Sequence, residues 1–241
     1  GIAVAYFLST RHGKQDIAIL DPNPPMTMTS AASGENYRNW WPHQVMTQFT
    51  DRSIDLMEEI ARASGNRLHM TRRGYALATR RENIDDMMEQ LHAGYGAAAS
   101  SLIRIHARGG ASGYVPPDLA DWDKAPQGVD VVRDRDLIRR SFPGFDTGVT
   151  TVVHIRRAGD ISGQQMGQFM LEQIRARGGR LVQARLRGVQ RTDRFELELQ
   201  AGGSTERMKA DILVNAAGPY LADVGAMMGE TVPVTTLAQQ K

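Results

Sequence analysis

The 241 residues contain no cysteine. Disulfides and thiolate-held zinc or iron–sulfur sites are therefore excluded, and the composition fits a reducing compartment such as the cytoplasm. Long apolar runs are also missing, since no stretch approaches the ~18 residues that a membrane helix needs. Net charge is nearly absent: 29 Lys and Arg stand against 27 Asp and Glu, leaving +2. The charges are scattered, as in RRENIDDMMEQ and RDRDLIRR, and form no basic stripe that would follow a nucleic-acid backbone, so a nucleic-acid partner is not expected. His12, His43, His69, His92, His106 and His154 lack the H-x-x-x-H spacing and the neighbouring acids of a metal set. Neither a G-x-S-x-G elbow nor a phosphate loop of the G-x-x-x-x-G-K-[ST] type occurs. What remains is a globular body with 41% hydrophobic residues, long enough for one large domain or two small ones.

The first residues carry the strongest signal. Gly1 opens a helix-like run, GIAVAYFL, followed by a turn and a short apolar strand, DIAIL, ending at Asp21. In a dinucleotide-binding βαβ unit, a pyrophosphate rests on the N–H groups at a helix N-terminus, and an acid about 20 residues later accepts from the ribose hydroxyls. Gly1 then stands for the last glycine of G-x-G-x-x-G, where the lack of a side chain lets helix and strand pack closely. An ordinary αβ pair would look the same locally. The second signal is ADILVNAAGPY, read as a strand over Ile212 to Val214 and a small-residue turn, Ala216-Ala217-Gly218, that a cofactor can approach.

Together these segments resemble the FAD-dependent oxidoreductases that include D-amino-acid, glycine, sarcosine and dimethylglycine oxidases and dehydrogenases. The matching pieces are the helix with Asp21, SAASGENYR, GDISGQQMGQFMLEQIRARGGRLVQARLRGV and DILVNAAGPYLADVGAMMGETVPV, in the family's order over nearly the whole chain. The resemblance implies an α/β fold: a Rossmann-like FAD-binding domain with a β-meander, from stretches 1–66 and 151–241, and a smaller mixed α+β substrate domain over 67–150. It implies FAD as cofactor, a small amine or amino acid as substrate, and oxygen or a redox partner as electron acceptor. It also implies a chain truncated at both ends, which as an isolated piece is expected to bind FAD poorly and to be inactive. A cysteine-linked flavin within these residues is excluded. A flavin monooxygenase, a nicotinamide-dependent dehydrogenase and a non-catalytic interaction module remain as alternatives.

Within that frame the loop SAASGENYRNWWPH holds the candidate site. Ser30, Ser33 and Gly34 offer donors and room for the pyrophosphate and flavin. Arg38 could clamp a carboxylate with two N–H groups or pair with a structural carboxylate. His43 is either a group near the flavin or a polar residue at a helix start. Trp40 and Trp41 form an aromatic wall or pack in the core. The resemblance places the backbone of Leu186 at the adenine ring, with Val182 and Val189 as neighbours.

Periodicity predicts a helix over 42–64 with a stripe of Val45, Phe49, Leu56, Met57 and Ile60, a strand near Tyr75, and a helix from Arg81 to Leu91. The block 94–128, rich in Gly, Ala, Ser and Pro, reads as a long loop, a lid or a partner surface. Strand-like VTTVVHI follows. Ser162 with Gln165 is a capping-box pattern opening a helix that Gly178-Gly179 ends. The runs RLVQARLRGVQ, RFELELQ and RMKADILVNAAG then predict a meander.

Overall fold

The computed structural model describes residues 1–109, 113–118 and 122–237. In chain order the strands are β1 (Ala18–Asp21), β2 (Asn36–Arg38), β3 (Tyr75–Thr79), β4 (Ile103–His106), β5 (Val129–Val132), β6 (Thr151–Ile155), β7 (Ala158–Asp160), β8 (Arg180–Gln183), β9 (Arg185–Arg191), β10 (Phe195–Ala201) and β11 (Ser204–Ala210). The helices are α1 (Ile2–Arg11), α2 (Gln44–Ala63), α3 (Asp85–Tyr95), α4 (Ala99–Leu102), α5 (Arg135–Ser141), α6 (Gly163–Arg175) and α7 (Leu221–Met227). They fall into two compact units, Gly1–Ser33 with Gly167–Lys241, and Gly34–Met166. The fold is mixed α/β, as the sequence implied. The long helix α2, assigned by the sequence to the stretch 1–66, belongs to the second unit because it packs against α3.

In the first unit, β1 pairs in parallel with β8, Ala18 opposite Arg180 through Asp21 opposite Gln183. Parallel neighbours need a crossover connection. The apolar face of α6, through Leu171 and Ile174, meets Ala5 of α1 together with Ile17 and Ile19. One half of the expected capping box forms, Gln165 N–H donating to Ser162 Oγ at 3.3 Å, while the Ser162 N–H donates to Leu68 O at 2.6 Å and not to the Gln165 side chain. The β-meander is β9-β10-β11, antiparallel throughout. Its strict alternation sends Leu197 and Leu199 inward with Ala184, while Glu196 and Glu198 face out.

The second unit holds a four-stranded sheet in the order β3-β6-β5-β4, in which β4 and β5 are parallel and the other pairs antiparallel. Every residue of β5 and β6 is buried, the pattern of strands covered on both faces. Val129, Val131, Val153 and Ile155 meet Leu91 and Tyr95 of α3 on one face; Val132 and Val152 meet Leu137 and Ile138 of α5 on the other. A ribbon of β2 and β7 sets Arg38 opposite Ala158.

Five sequence expectations are corrected. Residues 212–214 form no strand: Ile212 and Val214 are exposed, and among the described residues no strand runs beside them to complete a ladder. The run RLVQARLRGVQ breaks at Ala184 into β8 and β9, which pair with different partners. The block 94–128 contains α4 and the sheet strand β4, although residues 110–112 and 119–121 lie outside the described residues. On α2, Val45 and Phe49 are exposed, and the buried face is Thr47, Ile54, Glu58, Ile60 and Ala61. Helix α3 begins at Asp85, four residues later than periodicity implied, because Asn83 Oδ1 accepts the Asp85 N–H in a tight turn.

Candidate active site

In the first unit, Gly1 is the N-cap of α1, with no side-chain cap and no acid in the first turn. The first N–H groups of a helix have no internal acceptor, and the dipole adds positive character there. A Cβ on Gly1 would stand 4.0 Å from Ala216 Cβ, an ordinary contact. Apart from its chain neighbours and the backbone of α1, no other atom of the described residues comes as near. The approach shows that the turn Ala216-Ala217-Gly218 borders the start of α1. Gly218 takes a left-handed φ of +57°, with no atom within 4 Å of where a Cβ would be. Asn215 Oδ1 accepts from Ala217 N–H and Asn215 Nδ2 donates to Leu221 O, which fixes the turn.

Asp21 ends β1, half-buried. One carboxylate oxygen accepts from Asn23 N–H at 3.0 Å, and the other has no partner among the described residues. The Asp21 carbonyl accepts from Ala184 N–H at 3.2 Å. Beside it lies an open cavity of about 430 Å³ lined by Pro22, Gln183, Ala184, Arg185, Gln200, Gly202 and Gly203. Leu186 is half-buried on β9 in the meander core, opposite Leu199 at a register shift. Ser30 and Ser33 lie in exposed successive turns, Ser33 N–H donating to Ser30 O at 3.3 Å.

In the second unit, Gly34 is exposed. Arg38 ends β2 half-buried, with its guanidinium 4.7 Å from the Trp41 ring centroid and 5.2 Å from that of Tyr75. None of its N–H groups finds an acceptor among the described residues, so the structural ion pair that sequence left open is not formed. His43 is the exposed N-cap of α2 and its side chain makes no cap bond. Trp40 is buried in the core with its Nε1 unpaired, whereas Trp41 is 37% exposed. Arg38 thus lies against Trp41 and Tyr75, and no contact joins His43 to this group among the described residues.

Sequence gave no signal for Tyr75 or for the groups that place Trp41. The Thr47 hydroxyl accepts from Trp41 N–H at 3.2 Å and donates to Trp41 O at 3.0 Å. Gly94 leaves room for that backbone, since a Cβ there would come within 2.2 Å of Trp41 O.

Other arginines of this unit contrast with Arg38. Arg156 donates to Asp130 at 2.7 Å, and Asp130 also takes bonds from Arg104 and His106. Burial raises the Asp130 pKa, but those two hydrogen bonds and the arginine charges outweigh it and hold the carboxyl below its usual range. Arg72 pairs with Glu58, and Arg157 with Asp51, Asp55 and Glu58. Burial and the Arg156 charge push the His154 pKa down to about 4, and burial pushes the Tyr114 hydroxyl up to about 12. Among the described residues no group of acidic and histidine side chains could hold a metal, and no helix is long and apolar enough to cross a membrane.

The sequence matches the model of the FAD dependent oxidoreductase family, DAO, over residues 1–240. The chain belongs to this family. Among curated proteins none matches. Its fold is similar to that of L-proline dehydrogenase from P. horikoshii, with a TM-score of 0.67 at 12% identity over 95% of this chain and 52% of that one. Glycine oxidase from Geobacillus kaustophilus gives 0.68 at 15% identity over 95% and 55%. Iminodiacetate oxidase from Chelativorans sp. BNC1 gives 0.66 at 17% identity over 95% and 55%. This DAO-family chain therefore spans about half the length of the structures it matches.

The residues of the first unit fit FAD chemically. The uncapped start of α1 would supply donors for a phosphate, the Asp21 oxygen would be an acceptor for ribose hydroxyls, and the open side of Gly218 would leave room for close approach of a ligand to the backbone.

Proposed function

We propose that this DAO-family protein oxidises the C–N bond of an amino acid or N-methylated amino acid. Loss of a hydride from the carbon next to the amine leaves an imine, which water hydrolyses. FAD, when bound, supplies the hydride acceptor. The observation that carries the substrate class is Arg38: a half-buried arginine whose guanidinium finds no acceptor among the described residues is a ready partner for a carboxylate, which can take two of its N–H groups together. The names of the similar structures, acting on proline, glycine and iminodiacetate, agree with a small amine-bearing acid.

In this reading the first unit holds FAD through Gly1, Asp21, Ser30, Ser33, the Leu186 backbone and Ala216-Ala217-Gly218. The second unit holds the substrate, Arg38 taking the carboxylate and His43 standing as the second polar group, with Gly34 at the flavin-side loop. Oxygen or a redox partner reoxidises the cofactor, and the cysteine-free sequence suits the cytoplasm. The deciding experiment is anaerobic addition of glycine, sarcosine, dimethylglycine, proline and D-amino acids to the FAD-loaded protein. Bleaching of the flavin band by one of them, lost in Arg38→Ala, is expected. Bleaching by none, or full affinity retained in Arg38→Ala, refutes the assignment.

A further inference from the structure

We infer that Tyr75 and Trp41 are positioning residues that hold the Arg38 guanidinium ready for a carboxylate, an inference that rests on the proposed amino-acid substrate. Both rings lie within cation–π range of the guanidinium carbon. Such a contact fixes the cation while leaving its N–H donors without an oxygen acceptor. That is the state a carboxylate receptor needs before its ligand arrives. Arg72, Arg156 and Arg157 are instead held by carboxylates, which take up their terminal N–H groups.

The support beneath this arrangement is backbone. Arg38 is paired with Ala158 across the β2-β7 ribbon, and the Ala158 carbonyl accepts from Gly74 N–H at 2.9 Å. One residue thereby ties the strand of Arg38 to the start of the strand of Tyr75. Gly74 has a φ of +84°, and a Cβ there would lie 1.9 Å from His154 Nε2, so only glycine allows the chain to enter β3 by this path. Trp41 is fixed from its other side by Thr47 and by the clearance at Gly94. Two rigid anchors on separate elements thus place two rings against one cation. This is the supporting shell that a receptor of defined geometry requires.

The test measures binding of sarcosine to the full chain by titration calorimetry, beside sarcosinamide, which keeps the amine and lacks the carboxylate. Tyr75→Leu and Trp41→Leu should each weaken sarcosine about five- to tenfold, the loss of one partly buried cation–π contact. Tyr75→Phe should bind within about twofold of wild type because it keeps the ring. Sarcosinamide binding should be unmoved by any of these. The Arg38 Nε–H resonance, identified by its loss in Arg38→Lys, should shift when either ring is removed. Should Tyr75→Leu fail to fold, Tyr75→Val, suited to an edge strand, and Trp41→Leu carry the same expectation. If Arg38→Ala abolishes sarcosine binding while both ring variants bind as wild type, the positioning role is overturned and the carboxylate reading stands. If Arg38→Ala binds normally, or wild type does not distinguish sarcosine from sarcosinamide, both are overturned.

Discussion

Acid should weaken this protein well above the range in which carboxylates titrate, and His154 is the reason. The ring is 1% exposed, with Nε2 3.0 Å from Arg73 O and Nδ1 3.1 Å from the Tyr114 hydroxyl. A carbonyl can only accept, so Nε2 carries the proton and Nδ1 of the neutral ring accepts from Tyr114; a second proton on Nδ1 makes the Tyr114 hydroxyl turn from donor to acceptor. Burial is the largest cause of the depressed pKa of about 4, followed by the Arg156 charge. The unfolded value is near 6.5. Between these values the unfolded chain binds the extra proton and the native state does not, so stability is full above pH 6.5 and declines as pH falls to about 4. The gap corresponds to about 3 kcal/mol, a sizeable part of the 5–15 kcal/mol by which domains are stable. Urea unfolding at pH 7 and pH 4.5, for wild type and His154→Gln, tests this. Gln keeps a donor for Arg73 O and takes no proton. Wild type should lose about 2–3 kcal/mol more than the variant over that interval. Equal losses in the two proteins would show that His154 does not control acid stability.

Three further perturbations have defined outcomes. Asp130→Asn leaves Arg156 buried without its counter-ion and should cost about 3–5 kcal/mol in urea unfolding at pH 7, whereas an effect below about 1 kcal/mol would mean that the cluster is dispensable. Ser162→Ala removes the acceptor of the Gln165 N–H at the start of α6 and should cost about 1 kcal/mol, read as a small fall in thermal midpoint with FAD affinity unchanged. Gly94→Ala forces the Trp41 backbone away, because its Cβ has only 2.2 Å to the carbonyl oxygen; expected are a destabilisation of about 1–3 kcal/mol by overpacking and a shift in tryptophan fluorescence, and an unchanged spectrum would contradict the packing described.

Sequence was legible where the determinants are local. Ser162 and Gln165 announce the start of α6, the alternation of Phe195, Leu197 and Leu199 announces β10, and Gly1 to Asp21 yields the helix and strand expected. It failed where a distant partner decides. Ile212 to Val214 has the composition of a strand, but composition supplies no ladder, and these residues pair with none of the described strands. The strand Ile103–His106 was hidden inside a block whose glycines and prolines suggested a loop, because its place is set by β5, more than twenty residues away. On α2 the apolar stripe misled for a related reason. Glu58 is buried since Arg72 and Arg157 neutralise it from elsewhere in the chain, and Thr47 is buried since it serves the Trp41 backbone, so neither looks like core by hydropathy.

The same non-locality governs the candidate site. In sequence, Arg38, Arg72, Arg156 and Arg157 are equivalent cations in a chain of nearly balanced charge. The fold makes them different by assigning carboxylates to three, with the Tyr114 ring beside Arg156 as well, and aromatic rings without a carboxylate to the fourth. An ion pair satisfies a guanidinium and lowers its readiness for an outside anion; a cation–π contact restrains it and leaves its hydrogen-bonding capacity in place. Moving a carboxylate next to Arg38 should therefore switch its behaviour to that of its neighbours. Tyr75→Glu places one at the ring position 5.2 Å away, and it should abolish the difference between sarcosine and sarcosinamide while Tyr75→Gln, of the same length and uncharged, weakens it only partly. Persistence of that difference in Tyr75→Glu would show that the free state of Arg38 is not what selects the carboxylate.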